Sequence, residues 1–363
     1  MGEDFVFLFF LLVLLISGGM VLYFIQYCRS ATAPAGLVRL LGGNLLVGFF
    51  LLALLFVAGE SYYRFIFDTT DSLAYTKVSR RWLERYYVPN SAGFRDNIEY
   101  SLALQPGRRR ISFVGDSFTA GHGVMSVEDR FPNLIRHDHP QWDIHVIAKL
   151  GADTGEELAM LKKSLAEGYQ IDQVVLVYNL NDVSDIMPEW QASLKRIFAD
   201  EDKGGWLRRH SFFVDIIYHR LKVASNPEMK NYYGFVRAGY SGPLWELQKQ
   251  RLTAFRDLVQ AHGGRLTVVT FPFLHDVGPD YEFQFMHDEL NRFWSGLGVP
   301  HLDLLPVYRD LPPSKLVVNK YDAHPNEYAH ALAAVAIERF LETNLAAGTR
   351  PTIAILDVSS QPH

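Results

Sequence analysis

Two stretches near the start of the chain abandon the alternation of apolar and polar positions. Residues 5–28 read FVFLFFLLVLLISGGMVLYFIQYC and residues 40–59 read LLGGNLLVGFFLLALLFVAG, and neither holds a charged side chain. At ~1.5 Å per residue each crosses a hydrocarbon core of ~30 Å as a helix, and in lipid a helix satisfies its own backbone donors. The pattern predicts a transmembrane helical hairpin over residues 1–59. Gly18-Gly19 and Gly42-Gly43 are placed to let its helices approach closely. A signal peptide fits less well. The chain starts Met1-Gly2-Glu3-Asp4, acidic where such a peptide is basic, although the small residues of Ala31-Thr32-Ala33-Pro34-Ala35 resemble a cleavage site.

Residues 60–109 are rich in Tyr and Arg with little periodicity, and read as a linker or peripheral segment on the surface of a larger body. From residue 110 short apolar runs alternate with longer amphipathic ones. Strands are predicted at 111–114, 144–148, 173–178 and 265–271, with a weaker one at 299–304. Helices are predicted at 155–166, 244–262 and 327–344. The last is the best specified: Asn326 can cap it, and Ala329, Leu332, Ala333, Ala336, Ile337, Phe340 and Leu341 share one face. Near-continuous apolar strands separated by helices indicate a parallel sheet covered on both sides. The fold class is therefore α/β, a three-layer doubly wound domain over 110–342, with ligands expected outside the carboxyl ends of its strands. Residues 185–242 interrupt it with Trp190, Trp206, Phe212, Phe213, Tyr218, Tyr232, Tyr233 and Tyr240 among many charges. This insertion reads equally as a cap or lipid-resting element and as a peripheral helical addition. Residues 343–363 read as a flexible tail.

Composition refines this picture. A chain of 363 residues accommodates one large domain and additions, and the 48% hydrophobic content is concentrated in the hairpin. A formal net charge of −5 argues against a nucleic-acid surface. Arg108-Arg109-Arg110, the one basic run, reads as a solvated turn before a strand. The single cysteine, Cys28, permits no intrachain disulfide. The loop between the spans carries Arg29 and Arg39 and no acid, whereas Glu3, Asp4 and Glu60 flank the other ends. Basic loops stay inside, so the large domain is expected on the extracytoplasmic or periplasmic face.

Candidate chemistry collects at the predicted strand ends. The first strand runs into Gly115-Asp116-Ser117, the second into Gly151, and the third into Asn179-Leu180-Asn181-Asp182. Tyr321-Asp322-Ala323-His324-Pro325-Asn326 precedes the last helix. Acyl transfer needs a serine activated by an imidazole, a carboxylate to orient that imidazole, and preorganised donors for the oxyanion. Ser117, His324 and Asp322 fill the first three places, and Gly151 and Asn181 the last. Asp116 and Asp182 read as supporting hydrogen-bonding residues. His122 reads as a solvated loop residue, and so does the segment His137-Asp138-His139. No metal or cofactor is assigned.

In the order of these segments, and above all in GDSFTAGHGV from Gly115, the chain resembles the SGNH/GDSL hydrolase superfamily over about residues 110–341. The resemblance implies a flavodoxin-like fold, with Ser117 as nucleophile and Asp322 and His324 completing the triad. It implies an oxyanion hole of the Ser117 and Gly151 N–H groups and the Asn181 side chain. Three positions depart from the family pattern. No asparagine precedes Gly151, Asn179 stands where glycine is usual, and one residue rather than two separates Asp322 from His324. The expected function is a membrane-anchored serine esterase or deacylase, acting on O-acyl esters of a cell-envelope glycan or lipid. The alternatives are an O-acyltransferase using the same triad and a catalytically silent binding module of an envelope assembly.

Overall fold

A computed structural model describes residues 2–30, 36–199 and 205–348. Its chain divides into two compact units, one of residues 1–87 and 188–235, the other of residues 88–187 and 236–363.

The first unit begins with two long helices, Gly2–Ser30 and Leu37–Ser61. Both are long and apolar enough to cross a membrane, and little of either is buried in the protein. Phe5, Leu8, Leu12, Leu15, Leu45, Leu52 and Leu55 all point outward, the reverse of a soluble core helix. The helices run antiparallel. Phe7 meets Phe65 at one end, Phe10 packs against Phe56 with the rings tilted by 34°, and Gly43 lies under Phe24 at the other end. A Cβ on Gly43 would come within 2.5 Å of that ring. Of the four glycines singled out, Gly18 and Gly43 face the opposite helix, while Gly19 and Gly42 face open space. The possible cleavage site at 31–35 lies outside the described residues.

The insertion is helical over its described part, with Gly205–His210 and Phe212–Ser225 its central helices. Residues 188–235 pack with the hairpin as part of the same unit. Glu60, at the end of the second long helix, is fully buried. Its carboxylate accepts from Ser211 Oγ at 2.6 Å and from the N–H groups of Phe212 and Phe213 at 3.1 and 3.0 Å. That arrangement caps the helix starting at Phe212 with a negative charge from another element. Arg64, one turn on, pairs with the same carboxylate at 2.9 Å.

The second unit holds a five-stranded parallel sheet of order β2-β1-β3-β4-β5. Its strands are β1 (Arg109–Gly115), β2 (Trp142–Ala148), β3 (Gln173–Asn179), β4 (Arg265–Phe271) and β5 (His301–Asp303). Val174, Val175, Leu176, Val268 and Val269 are fully buried because helices cover both faces. In this order the chain departs from β1 in opposite directions, so the crevice for ligands opens beside the carboxyl end of β1. A two-stranded antiparallel ribbon, β6 (Val317–Asn319) and β7 (Asp322–Pro325), precedes the final helix.

Two expectations need correction. Arg110 is not part of a solvated turn. It is buried on β1, bonded through Nε and Nη2 to Asp143 Oδ2 at 2.9 and 2.7 Å and through Nη1 to the carbonyls of Leu102 and Gln170. The last helix does not stop at residue 344 but runs to Gly348, so the stretch from Thr343 to there is ordered helix. Residues 349–363 lie outside the described part. Asn326 does cap this helix, its Oδ1 accepting from the Ala329 N–H at 3.0 Å.

Candidate active site

Ser117 opens a four-residue helix directly after β1, and Asp116 caps it by accepting from the Phe118 N–H at 2.9 Å. The residue is buried, 7% exposed. The other two members arrive on β7. Successive strand side chains point to opposite faces, so residues two apart share one. Asp322 and His324 are two apart on an extended segment, and their side chains meet without a turn. His324 Nδ1 lies 2.5 Å from Asp322 Oδ1, and His324 Nε2 lies 2.8 Å from Ser117 Oγ. The single-residue spacing thus suits the pairing.

The protonation pattern follows from these bonds. An ionised carboxylate only accepts, so Nδ1 carries the imidazole proton and Nε2 is left to accept from the Ser117 hydroxyl. Burial works to raise the Asp322 carboxyl. His324 and His122 together outweigh it and hold that carboxyl well below the usual range. This favours the charged form of Asp322. Phe118 packs against the imidazole with ring centres 5.4 Å apart and keeps solvent off one side.

Two supporting residues behave differently. Burial pushes the Asp116 carboxyl up to about 7, against the hydrogen bond from the Phe118 N–H and a longer contact, 3.4 Å, with Ser117 Oγ. Asp182 is pushed well above the carboxylate range by burial and then by Glu157 and Asp116. It accepts from the Asn179 N–H at 2.8 Å and returns its own N–H to the Asn179 carbonyl at 3.0 Å, closing the turn that carries Asn181. The structure gives neither acid a bond to His324.

Gly151 lies three residues past β2, whose last residue, Ala148, pairs with Gly115 in the sheet. Its φ of 71° is one that side chains resist. Asn181 lies past β3, and its Oδ1 is buried with no partner among the described residues. Both stand at the carboxyl edge of the sheet, and neither is hydrogen-bonded to the Ser117–His324–Asp322 chain. Two cavities of about 580 and 210 Å³ are lined by other residues, among them Asn291, Arg292 and His301 in the larger.

Two residues at this edge were not anticipated. His122, expected in solvent, is 2% exposed and directs Nε2 at Asp322 Oδ2 from 3.3 Å. The signal was in the sequence as Gly121-His122-Gly123: both glycines adopt positive φ, 74° and 87°, and turn the chain back beneath the site. Arg95, in the segment expected to lie on the surface, is fully buried. Its guanidinium donates to the carbonyls of Ala120, Gly121, Val124 and Met125 at 3.2, 2.5, 2.6 and 3.2 Å, fastening the loop behind Ser117. No pattern of apolar positions marks such a residue.

Elsewhere His137 stays exposed beside Asp138, while His139 turns inward to stack on Trp142 and meet Glu338 at 2.5 Å. Side chains able to ligate a metal converge at His139, Glu338 and Glu342, and again at His122, Asp322 and His324. In the second group the same atoms are already engaged with one another and with Ser117.

No protein-family model matches the sequence, and no curated protein matches it either. Similar folds exist among solved structures. An extracellular lipase from Streptomyces rimosus is 15% identical, covers 65% of this chain and 99% of its own, and has a TM-score of 0.42. A member of the lipolytic G-D-S-L family from Veillonella parvula is 12% identical, with 67% and 100% coverage and a TM-score of 0.37. A two-domain esterase active on acetylated mannans is 18% identical, with 70% and 52% coverage and a TM-score of 0.36. At such low identities the assignment rests on the chain's own sheet order and on what stands at its strand ends. By that order the second unit is a doubly wound α/β fold of the flavodoxin-like kind, with Ser117 directly after β1 and Asp322 and His324 on β7.

Proposed function

We propose that the protein is a membrane-anchored serine esterase or deacylase in which Ser117 attacks an O-acyl ester of a cell-envelope glycan or lipid. The observation that carries this reading is the hydrogen-bonded chain from Ser117 Oγ through His324 to Asp322. The hydroxyl gives its proton to His324 Nε2 as Oγ bonds to the acyl carbon, and Asp322 stabilises the imidazolium that forms. The negative charge on the former carbonyl oxygen is met by the N–H groups of Ser117 and Gly151 and by the Asn181 amide. As the intermediate collapses, His324 returns the proton to the departing alcohol and the acyl group stays on Ser117. Water then enters, gives a proton to His324, and releases the acid as Ser117 recovers its hydrogen. Each making or breaking of an acyl C–O bond is coupled to a proton transfer at the same nitrogen, His324 Nε2.

The hairpin supports an acylated glycan or lipid as substrate, since a tethered site meets the esters held at the same surface. The arginines of the inter-span loop support an extracytoplasmic or periplasmic site, which a reporter fused after His363 tests: a cytoplasmic signal contradicts it. For the chemistry, the full chain in detergent is given p-nitrophenyl acetate and butyrate beside Ser117→Ala and His324→Ala. Turnover lost in both variants supports the mechanism, and unchanged turnover sinks it. Transfer to an added sugar acceptor with little hydrolysis would make the enzyme an O-acyltransferase.

A further inference from the structure

We infer that His122 is a positioning residue for this site, holding the second oxygen of Asp322 and so fixing the carboxylate that orients His324. The inference rests on the serine-esterase reading and extends it to a fourth side chain. Asp322 Oδ1 receives the Nδ1–H of His324 at 2.5 Å and its backbone N–H at 3.1 Å. Oδ2 faces His122 Nε2 at 3.3 Å. A carboxylate held at one oxygen can still turn about its Cβ–Cγ bond, whereas donors on both oxygens fix its plane. The two imidazoles lie against each other, ring centres 4.3 Å apart and planes inclined at 47°.

The backbone returns the connection to its start. The His122 N–H donates to the carbonyl of Ser117 at 2.9 Å. Hydrogen bonds therefore form a closed circuit: Ser117 Oγ to His324, His324 to Asp322, His122 to Asp322, and the His122 backbone to Ser117. Nucleophile and carboxylate, brought together from distant parts of the chain, are linked twice rather than once. Arg95 makes the returning loop stiff by binding four of its carbonyls. A histidine needed only to fill space would require neither bond.

The test uses the full chain in detergent with His122→Gln, His122→Asn and His122→Leu. Glutamine carries an amide nitrogen about as far from the backbone as Nε2, while asparagine is too short to reach Asp322. The Asn and Leu variants should lower kcat roughly 10- to 100-fold with KM nearly unchanged, as for a lost hydrogen bond to a charged group. His122→Gln should recover most of the loss. In an Asp322→Asn background His122→Leu should cost nothing more, because its effect passes through that carboxylate. Wild-type kcat in the Asn variant, equal losses in Gln and Leu, or additive losses in the double variant would each overturn the assignment. Should the Leu variant not fold, the Gln and Asn pair decides. Fluorophosphonate labelling separates the two readings: a wild-type chain unlabelled at Ser117 takes both down. A labelled one with an unimpaired Asn variant removes only the role of His122.

Discussion

The two units treat the same kinds of residue in opposite ways. In the sheet unit apolar side chains are inside, and the buried polar ones are spent on geometry: Arg110 on Asp143, Arg95 on four carbonyls, His122 and His324 on the two oxygens of Asp322. In the hairpin unit the two long helices turn most of their apolar side chains outward, a small core gathers Val78, Phe212 and Ile216, and the buried carboxylate of Glu60 joins a long helix to the insertion. Polar burial costs free energy unless each group is partnered. Where it occurs it marks what must not move: the Ser117–His324–Asp322 chain in one unit and the attachment of an insertion in the other.

If that contrast is sound, substitutions should separate cleanly by unit. The largest effect belongs to Ser117→Ala and His324→Ala, each expected to lower kcat/KM for p-nitrophenyl esters by about 10⁴-fold or more without changing Tm. Asp322→Asn should follow at roughly 10³- to 10⁴-fold, since the amide favours the wrong imidazole tautomer. Glu60→Ala removes the acceptor shared by Ser211, Phe212, Phe213 and Arg64 and should weaken the hairpin unit by about 2–4 kcal/mol. Proteolysis within residues 188–235 would report it, with ester turnover retained. A collapse of turnover there would break the contrast.

Smaller effects sharpen it. Arg95→Met should loosen the loop behind Ser117 and lower kcat about 10-fold at similar KM, read by steady-state kinetics. Glu157 is buried without a partner among the described residues, and burial, then Asp116 and Asp153, raise its carboxyl well above the usual range. A carboxyl raised on folding contributes stability that is full below its unfolded value and is lost as pH rises above it. Glu157→Gln should therefore raise Tm by roughly 2–4 °C at pH 8 and leave it unaltered near pH 4, by thermal melts at both.

Much of this was legible in the sequence, for physical reasons that also mark where it stopped. β4 falls at 265–271 as the apolar run indicates, and the order of strands and helices followed from period alone. The apolar run 111–114 falls short of β1 at both ends, because Arg109 and Arg110 break it on one side and Gly115 on the other, and β2 starts two residues before its run, at Trp142, because Asp143 interrupts it. A buried arginine–aspartate pair looks like surface until its partner is known. The β6–β7 ribbon was missed because strands of three and four residues have no periodicity to detect. Residues 88–108 were grouped with the linker, yet Arg95 and Tyr100 tie them into the sheet unit, Tyr100 stacking on His145 with ring centres 4.4 Å apart. The pairing of Ser117 with His324 was anticipated because acyl transfer demands those residue types together. His122 was not, because its partner is 200 positions away.

The hairpin unit also bears on how the chain is handled. A chain beginning at Glu60 would strip residues 188–235 of the helices they pack against, so the intact protein in detergent is the proper sample. On that sample the most direct measurement is reaction with a labelled fluorophosphonate, followed by peptide mass mapping of wild type and His324→Ala. The account predicts one modified residue, Ser117, with labelling slowed by orders of magnitude when His324 is absent. An unmodified Ser117 in the folded wild-type chain, or equal labelling rates in both proteins, would contradict it.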